Sequence, residues 1–210
     1  MSEESHLSIA LRAYKDRFLA LPWIYDNLRP LIVGGIDLRG LAAFCSIGPS
    51  DRVFDLGCGT AQLLKYLRFG QYLGVDLDPA ALKRAARFSS PHIRFLPGNG
   101  WDAAFRDLSP TVALMIGVVH HVSDEDFCLI IDRLRVCAAS LQRIIAFEVS
   151  YFPRAFFNNF MSRLDRGCHV RRPEEYERLF GLCGLRIQRS GILPTRLGYV
   201  RYIGYHLAFA

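Results

Sequence analysis

The sequence predicts an α/β fold: a Rossmann-like sheet of seven strands, with helices on both faces and an antiparallel β-hairpin at the C-terminal edge. Short apolar runs alternate with helix-like segments over residues 52–149. In the run DLGCG an acid and two glycines end the first apolar segment, as expected where a strand feeds a ligand-binding turn. Two β-like segments, LRIQRSGIL and RYIGYHLAFA, follow one another at the C-terminus and predict the hairpin.

The predicted parallel strands are short apolar runs separated by helical patterns, a βαβ succession that implies parallel pairing. The fourth is apolar throughout, which is typical of a strand buried on both faces. In order, the five runs are RVFDL, YLGVDL, IRFLPG, TVALMIGVV and RIIAFEV.

The helices are predicted from apolar residues at helical spacing and from end signals. Pro22 ends the first, Ser123 is the expected cap of the fifth, and Gly184 lies beyond the last. The predicted helices are residues 1–21, 31–45, TAQLLKYLRF, PAALKRAARF, 124–139 and PEEYERLFGLC.

The composition favours a globular chain with a large core. Hydrophobic residues make up 51% of the 210 residues and charged residues 22%. No stretch reaches the roughly 18 apolar residues of a membrane span, and charges interrupt the N-terminal segment where a signal peptide would be apolar. A cytoplasmic protein without a membrane span is therefore expected.

The cysteines are scattered and form no CxxC pair, so we expect free, mostly buried thiols rather than a disulfide framework or a zinc site. The six are Cys45, Cys58, Cys128, Cys137, Cys168 and Cys183.

The net charge of +6 is unevenly spread, because five arginines lie within sixteen positions of the C-terminal third. Such a run is either a solvated face or a positive surface for an anionic substrate or a nucleic acid. The arginines are Arg163, Arg166, Arg171, Arg172 and Arg178.

The glycine loop after the first strand predicts a nucleotide-type ligand at the carboxyl edge of the sheet. Gly57 and Gly59 allow the backbone to approach a ligand, but the third glycine of the dinucleotide fingerprint is replaced by Gln62. Asp76, seventeen residues past Gly59, can reach a ribose. Asp55 at the loop floor either meets a cationic ligand group or orders the turn.

The motifs VFDLGCGTAQLL, YLGVDLDPAALKRA, IRFLPGNGWD and GVVHHVSDED, in this order, resemble the class I S-adenosylmethionine-dependent methyltransferases. The family's third loop glycine is Ala61 here. A later segment, RLDRGCHVRRPEEYERLF, resembles a signature of one bacterial branch. The resemblance implies an enzyme with S-adenosyl-L-methionine as its cofactor.

The resemblance also implies where the cofactor lies: its methionine part on the glycine loop, its ribose on Asp76, and its adenine between Leu77 and Trp101. It implies a helical lid or cap at 1–45, a cofactor-binding domain at 46–210, and an insert at 150–172 over the active site. The implied cofactor-binding residues are Tyr14, Asp55, Gly57, Cys58, Gly59, Asp76, Leu77, Asn99, Gly100, Trp101 and Ile116.

The candidate catalytic residues are His120, His121 and Glu148, which follow or end strands at the same edge. A histidine can act as a general base near neutral pH, and no metal is required for methyl transfer. His120 is the preferred substrate contact, and His121 the preferred structural residue. Asp165 and Arg166 either cap the pocket or form an internal ion pair.

The predicted function is methyl transfer to an oxygen or nitrogen of a small, partly aromatic or apolar acceptor, such as a secondary metabolite or a saccharide intermediate. An RNA- or DNA-modifying methyltransferase is disfavoured, because IGVVHH replaces the Asn/Asp-Pro-Pro-aromatic loop of base-methylating enzymes. A non-catalytic cofactor-binding protein remains open, and a monomer or homodimer is expected. A nicotinamide dehydrogenase is disfavoured by Gln62 and by the terminal hairpin.

Overall fold

The structure is a computed structural model that describes residues 35–98, 101–137, 139–163, 165 and 167–210. Most of the predicted N-terminal lid at 1–45 lies outside these residues. The same is true of three predicted cofactor contacts, Tyr14, Asn99 and Gly100.

A seven-stranded sheet forms the centre of the described chain, in the order β3-β2-β1-β4-β5-β7-β6. The first five strands pair in parallel, while β7 pairs antiparallel with both β5 and β6. This confirms the predicted fold class, including the terminal hairpin. The strands are β1 (Arg52–Leu56), β2 (Gln71–Asp76), β3 (Ile93–Pro97), β4 (Val112–Ile116), β5 (Arg143–Val149), β6 (Leu185–Pro194) and β7 (Arg201–Phe209).

Helices connect the strands and pack on both faces of the sheet. Among the described residues, no helix is long and apolar enough to cross a membrane. The α-helices are α1 (Leu38–Cys45), α2 (Pro79–Ala85), α3 (Asp102–Leu108), α4 (Asp124–Cys137), α5 (Phe156–Arg163) and α6 (Pro173–Leu182). The short 3-10 helices are Gln62–Lys65, Ala86–Phe88 and Val119–His121.

Two predicted helices differ from the structure. The helix predicted from residue 31 begins at Leu38, because the Asp37 side chain accepts a hydrogen bond from the backbone N–H of Arg39 and caps it there. The predicted helix TAQLLKYLRF is reduced to the single 3-10 turn Gln62–Lys65. The chain enters this turn through Ala61 in the left-handed region, at φ 54°. Phe69 packs into the core just beyond it, so tertiary contacts override helix propensity.

Two apolar clusters cover the two faces of the sheet. Along β1 the side chains alternate, with Val53 in one cluster and Phe54 in the other. The Phe54 cluster includes Phe105 of α3 and Phe127 of α4, while the Val53 cluster includes Phe44 of α1. The sheet is thus held between two layers, with its carboxyl edge left for loops.

A disulfide joins Cys128 on α4 to Cys183 at the end of α6, across 55 residues of sequence. The prediction of free thiols is therefore wrong for this pair. Both side chains belong to the apolar packing between the two helices and the sheet, which explains why their sequence context resembles that of buried thiols. Because the two cysteines are 55 residues apart and meet only when the two helices pack together, no local spacing of cysteines in the sequence predicts the disulfide.

Loss of this disulfide is expected to lower the free energy of unfolding by about 2 kcal/mol or more, because a long loop in the unfolded chain is released. We expect the double variant Cys128→Ser/Cys183→Ser to unfold roughly 4–8 °C lower than wild type. The measurement is thermal unfolding with and without reductant, with Cys137→Ser as the matched control on α4. If denatured, unreduced protein titrates six thiols rather than four, the disulfide is absent.

Candidate active site

The loop between β1 and Gln62 is a tight backbone cradle. Gly57 and Gly59 have φ of 74° and 54°, a region that glycine enters without strain. The backbone N–H groups of Gly57 and Cys58 both donate to the carbonyl of Val75, at 2.8 and 3.0 Å. A Cβ on Gly57 would lie 2.6 Å from Cγ2 of Val118, so a larger residue would force the loop away from the segment after β4.

Asp76 at the end of β2 fixes this loop. Its Oδ2 accepts the Gly59 N–H at 2.7 Å, and its Oδ1 accepts the Asp78 N–H at 2.8 Å. Burial raises the pKa of Asp76, and these backbone N–H groups partly offset the effect. Each carboxylate oxygen keeps a second lone pair, so the side chain can still accept hydroxyl hydrogens from a ligand.

Asp55 is buried at the floor of the loop with one oxygen paired. Tyr72 donates its hydroxyl hydrogen to Oδ2 at 2.6 Å, while Oδ1 is buried without a hydrogen-bond partner. Burial raises the pKa of Asp55 to about 7, with the Tyr72 hydrogen bond opposing the shift and the nearby Asp76 charge adding to it. A buried, unpaired carboxylate oxygen of this kind is suited to a cationic partner.

The remaining predicted cofactor contacts differ in how far they are buried. Leu77 is half-buried beside Gly98, where an added Cβ would lie 2.8 Å from Leu77 Cδ2, and Ile116 is half-buried at the end of β4. Cys58 is buried beneath the loop. Trp101 is only 3% exposed, and its ring packs against Phe54 and Phe105. The packing of Trp101 in the core favours a structural role over covering an adenine.

Glu148 at the end of β5 organises the segment after β4. Its carboxylate is fully buried and accepts the backbone N–H groups of Val118, Val119 and His120 at 2.9–3.2 Å. It also lies 2.5 Å from Nδ1 of His120, so both of its oxygens are shared between two groups. This arrangement favours a positioning role for Glu148 over contact with a substrate.

His120 is held between two carboxylates. Its Nδ1 faces Glu148, and its Nε2 lies 3.2 Å from the Asp165 carboxylate. Burial alone would lower the pKa of His120, but the two carboxylates outweigh it and raise the pKa to about 9. With both ring nitrogens engaged, His120 is the less suitable general base, and the half-buried His121 is the more accessible of the two. This reverses the preference taken from the sequence.

The segment 167–171 wraps over the 3-10 turn that carries the histidines. A Cβ on Gly167 would lie 2.1 Å from Cδ2 of His120, so only glycine fits at this approach. The backbone N–H of His169 donates to the His120 carbonyl at 3.0 Å. Of the predicted Asp165–Arg166 pair, Arg166 lies outside the described residues, and Asp165 lies against His120.

Arg171 secures this segment, and its role could not be deduced from the sequence. Its guanidinium donates to the carbonyls of Val119, Val122 and His169 and pairs with Asp124 of α4. It is 8% exposed, so it is not part of a positive surface. The described arginines of the run that do face solvent are Arg163, Arg172 and Arg178.

Comparison with known proteins agrees with this geometry. Residues 54–136, from β1 to the end of α4, match the model of the methyltransferase domain family. No curated protein matches the sequence.

Several solved structures share the fold over most of the chain. The complex between the Haloferax volcanii Trm112 methyltransferase activator and the putative methyltransferase matches with a TM-score of 0.66 and 15% identity, over 93% of this chain and 97% of that one. A SAM-dependent methyltransferase from Anabaena variabilis matches with a TM-score of 0.62 and 18% identity, over 98% and 96%. The geranyl diphosphate C-methyltransferase of Streptomyces coelicolor, solved with Mg²⁺, geranyl diphosphate and S-adenosyl-L-homocysteine, matches with a TM-score of 0.62 and 18% identity, over 81% and 80%.

The matched domain contains the glycine loop, the acid at the end of β2 and the histidine turn after β4. The terminal antiparallel hairpin completes the same sheet in the described chain. Residues 54–136 thus match a methyltransferase domain, and the described chain shares the fold of S-adenosylmethionine-dependent methyltransferases of known structure.

Proposed function

We propose that this methyltransferase transfers the methyl group to an oxygen or nitrogen of a small, partly apolar acceptor bound above the histidine turn. The observation that supports it best is the arrangement of the glycine loop around Asp76. That carboxylate holds the Gly59 N–H at the carboxyl edge of the sheet, where a ligand of this fold binds.

The proposed cofactor lies along this edge. Gly57, Cys58 and Gly59 border its methionine part, and Asp55 offers the unpaired oxygen beneath the loop to the cationic end of the ligand. Asp76 accepts the ribose hydroxyl hydrogens, and Leu77 covers one face of the adenine. The resemblance adds Tyr14, Asn99 and Gly100, which lie outside the described residues, and Ile116 at the end of β4.

The proposed acceptor faces the turn Val119–His121 that follows β4. Methyl transfer is an in-line displacement from a sulfonium, so the protein has to position a nucleophile and, for a hydroxyl, accept its proton. His121 is the side chain that we assign to this contact. Glu148 and His120 hold the turn in place from below.

An apolar acceptor is supported by the insert after β5. Asn158 of α5 donates to the carbonyl of Ser150, which ties the helix to the end of β5. The same helix exposes three phenylalanines, Phe156, Phe157 and Phe160, and Phe157 lies beside Tyr199. Exposed aromatic rings next to the carboxyl edge are suited to contact an acceptor with apolar or aromatic parts.

A nucleic-acid substrate has less support. The arginine run was its main argument, and Arg171 is buried among carbonyls of the fold. That the protein works as a monomer or homodimer stays a prediction.

The test is calorimetric titration of S-adenosyl-L-homocysteine into wild type, Asp76→Ala and Asp78→Ala. Removal of the Asp76 carboxylate should weaken binding by roughly 30-fold, about 2 kcal/mol, because the ribose contact and the loop support are lost together. Asp78 is the matched control. It is the neighbouring acid and caps α2 through the Ala80 N–H, so its loss should leave affinity within about threefold of wild type.

The proposal fails if wild type does not bind the ligand, or if Asp76→Ala binds it as well as Asp78→Ala does. Circular dichroism of each variant separates lost binding from lost folding. Once binding is established, the acceptor class is tested by methyl transfer to panels of small phenols, hydroxylated apolar compounds and amines. His121→Ala should reduce turnover more than it reduces cofactor affinity.

A further inference from the structure

The two histidines of the turn Val119–His121 and Asp165, from the segment after α5, bring metal-ligating atoms together. One nitrogen each from His120 and His121 and one oxygen from Asp165 all lie within 4.8 Å of one another. The Nε2 of His120 is 3.2 Å from the Asp165 carboxylate, and the rings of the two histidines are 4.0 Å apart between centroids. Ligands of one metal ion, each about 2.1 Å from it, are about 3.0–3.5 Å apart, so modest closure would complete the set.

The surroundings of His120 match those of a metal-ligating histidine. Such a histidine usually donates its other ring N–H to a carboxylate, which fixes the tautomer and the orientation of the ring. Here Nδ1 faces the fully buried Glu148 at 2.5 Å, which leaves Nε2 pointing toward Asp165 and His121. Three backbone N–H groups hold Glu148 in turn.

Charge and backbone also favour a cation at this point. Two buried carboxylates, Glu148 and Asp165, flank one imidazole, so a divalent ion on Nε2 would balance both negative charges. The Gly167 N–H donates to Asp165 Oδ1 at 2.9 Å and orients that carboxylate toward the histidines. Only the glycine at 167 allows this segment to approach the ring.

We propose that His120, His121 and Asp165 bind a divalent transition-metal ion, with Glu148 as the outer carboxylate that positions His120. Two imidazoles and one carboxylate are donors suited to Zn²⁺, Fe²⁺, Co²⁺ or Ni²⁺ rather than to Mg²⁺ or Ca²⁺. The three ligands leave further coordination positions for oxygen atoms of a bound molecule.

Resting on the proposed function, this site narrows the acceptor to molecules with two adjacent oxygen donors, such as vicinal hydroxyls or a hydroxyl beside a carbonyl. With the ion in place, the ion rather than the His121 ring would contact the acceptor, and a hydroxyl bound to the ion would lose its proton to water. The oxygen then forms a bond to the methyl carbon as the carbon–sulfur bond breaks. Both electrons of that bond remain on sulfur, which leaves as a neutral thioether.

The experiment uses the full chain, treated with a chelator and then freed of it, and Co²⁺ and Zn²⁺ as probes. Calorimetry and the visible spectrum of bound Co²⁺ should show one equivalent in wild type. His121→Ala and Asp165→Asn should each weaken binding at least about 10-fold. Two control variants should bind the metal as wild type does. They are His92→Ala, which removes an exposed histidine next to β3, and Cys168→Ser, which removes an exposed thiol.

Asparagine at 165 keeps the size of the side chain and an acceptor for Gly167, so this variant remains informative if His121→Ala fails to fold. Titration of S-adenosyl-L-homocysteine into the same samples separates the two proposals. Wild type that binds the cofactor product but neither metal overturns the metal site alone, and the contacts of the His120 ring with Glu148 and Asp165 are then purely structural. If both His121→Ala and Asp165→Asn bind the metal as wild type does, the ion lies elsewhere, and the proposed metal site is also overturned.

Discussion

Replacement of Arg171 by alanine is expected to lower the free energy of unfolding by about 3 kcal/mol or more, measured by chemical denaturation. The guanidinium donates to three backbone carbonyls, those of Val119, Val122 and His169, and pairs with Asp124. The variant would leave buried acceptors without donors, each costing about 1–3 kcal/mol. The Asp124 pair contributes less, because its carboxylate is more than half exposed.

Two further variants test this reason for the loss. Arg171→Lys keeps the charge but cannot reach all these acceptors from one planar group, so most of the loss should remain. Arg172→Ala removes an exposed arginine next in the chain and should change stability by less than about 0.5 kcal/mol. Equal effects at 171 and 172 would show that the buried network contributes little.

Arg171 also marks the limit of what the sequence could predict. The run of arginines is visible in the sequence, yet nothing in it distinguishes the buried member from the exposed ones. Arg171 is buried because the segment around Gly167 packs against His120, which lies 47 residues earlier in the chain. The disulfide between Cys128 and Cys183 depends in the same way on the packing of two distant helices.

The sheet was predictable because its signals are local. Apolar runs, an acid before a glycine turn and two consecutive C-terminal β segments are patterns within a few residues, whereas the order of the strands depends on pairing between distant segments. That Asp76 lies near Gly59 was predictable because both lie at the carboxyl ends of parallel strands, although the predicted helix between them is a single 3-10 turn. The engagement of His120 by two carboxylates was not, because Asp165 comes from an irregular segment.

A second large effect is expected at Asp55, where the stability of the ligand-free protein should depend on pH. The folded pKa is about 7, because burial favours the protonated form, against about 3.9 in an unfolded chain. Below pH 4 both states hold the proton and the contribution is constant. From pH 4 to 7 the unfolded chain binds fewer protons than the folded one, so stability falls as pH rises and then levels off.

The difference between Asp55→Asn and wild type isolates this contribution from those of other groups. Asparagine keeps an oxygen to accept the Tyr72 hydroxyl hydrogen, but it carries no charge. Relative to wild type, the variant should gain stability from pH 4 to 7 by up to roughly 4 kcal/mol and keep that gain at pH 8. The exposed Asp107 of α3 provides the control, since Asp107→Asn removes a charge at the surface. A gain at Asp55 that is absent or independent of pH would mean that the carboxylate is better solvated than its position indicates.

The same substitution should have the opposite effect on binding, and this contrast bears on why the acid is there. Asp55 Oδ1 has no partner in the ligand-free protein, and a neutral amide cannot replace a carboxylate beside the cationic end of the proposed cofactor. Asp55→Asn should therefore weaken S-adenosyl-L-homocysteine binding about 10-fold at pH 8, by calorimetry. A variant that is more stable and binds more weakly would show that the buried acid contributes to ligand binding and lowers the stability of the ligand-free protein. A variant that is more stable and binds equally well would assign Asp55 to the turn alone, and the cationic end of the ligand would have to be held by other groups of the loop.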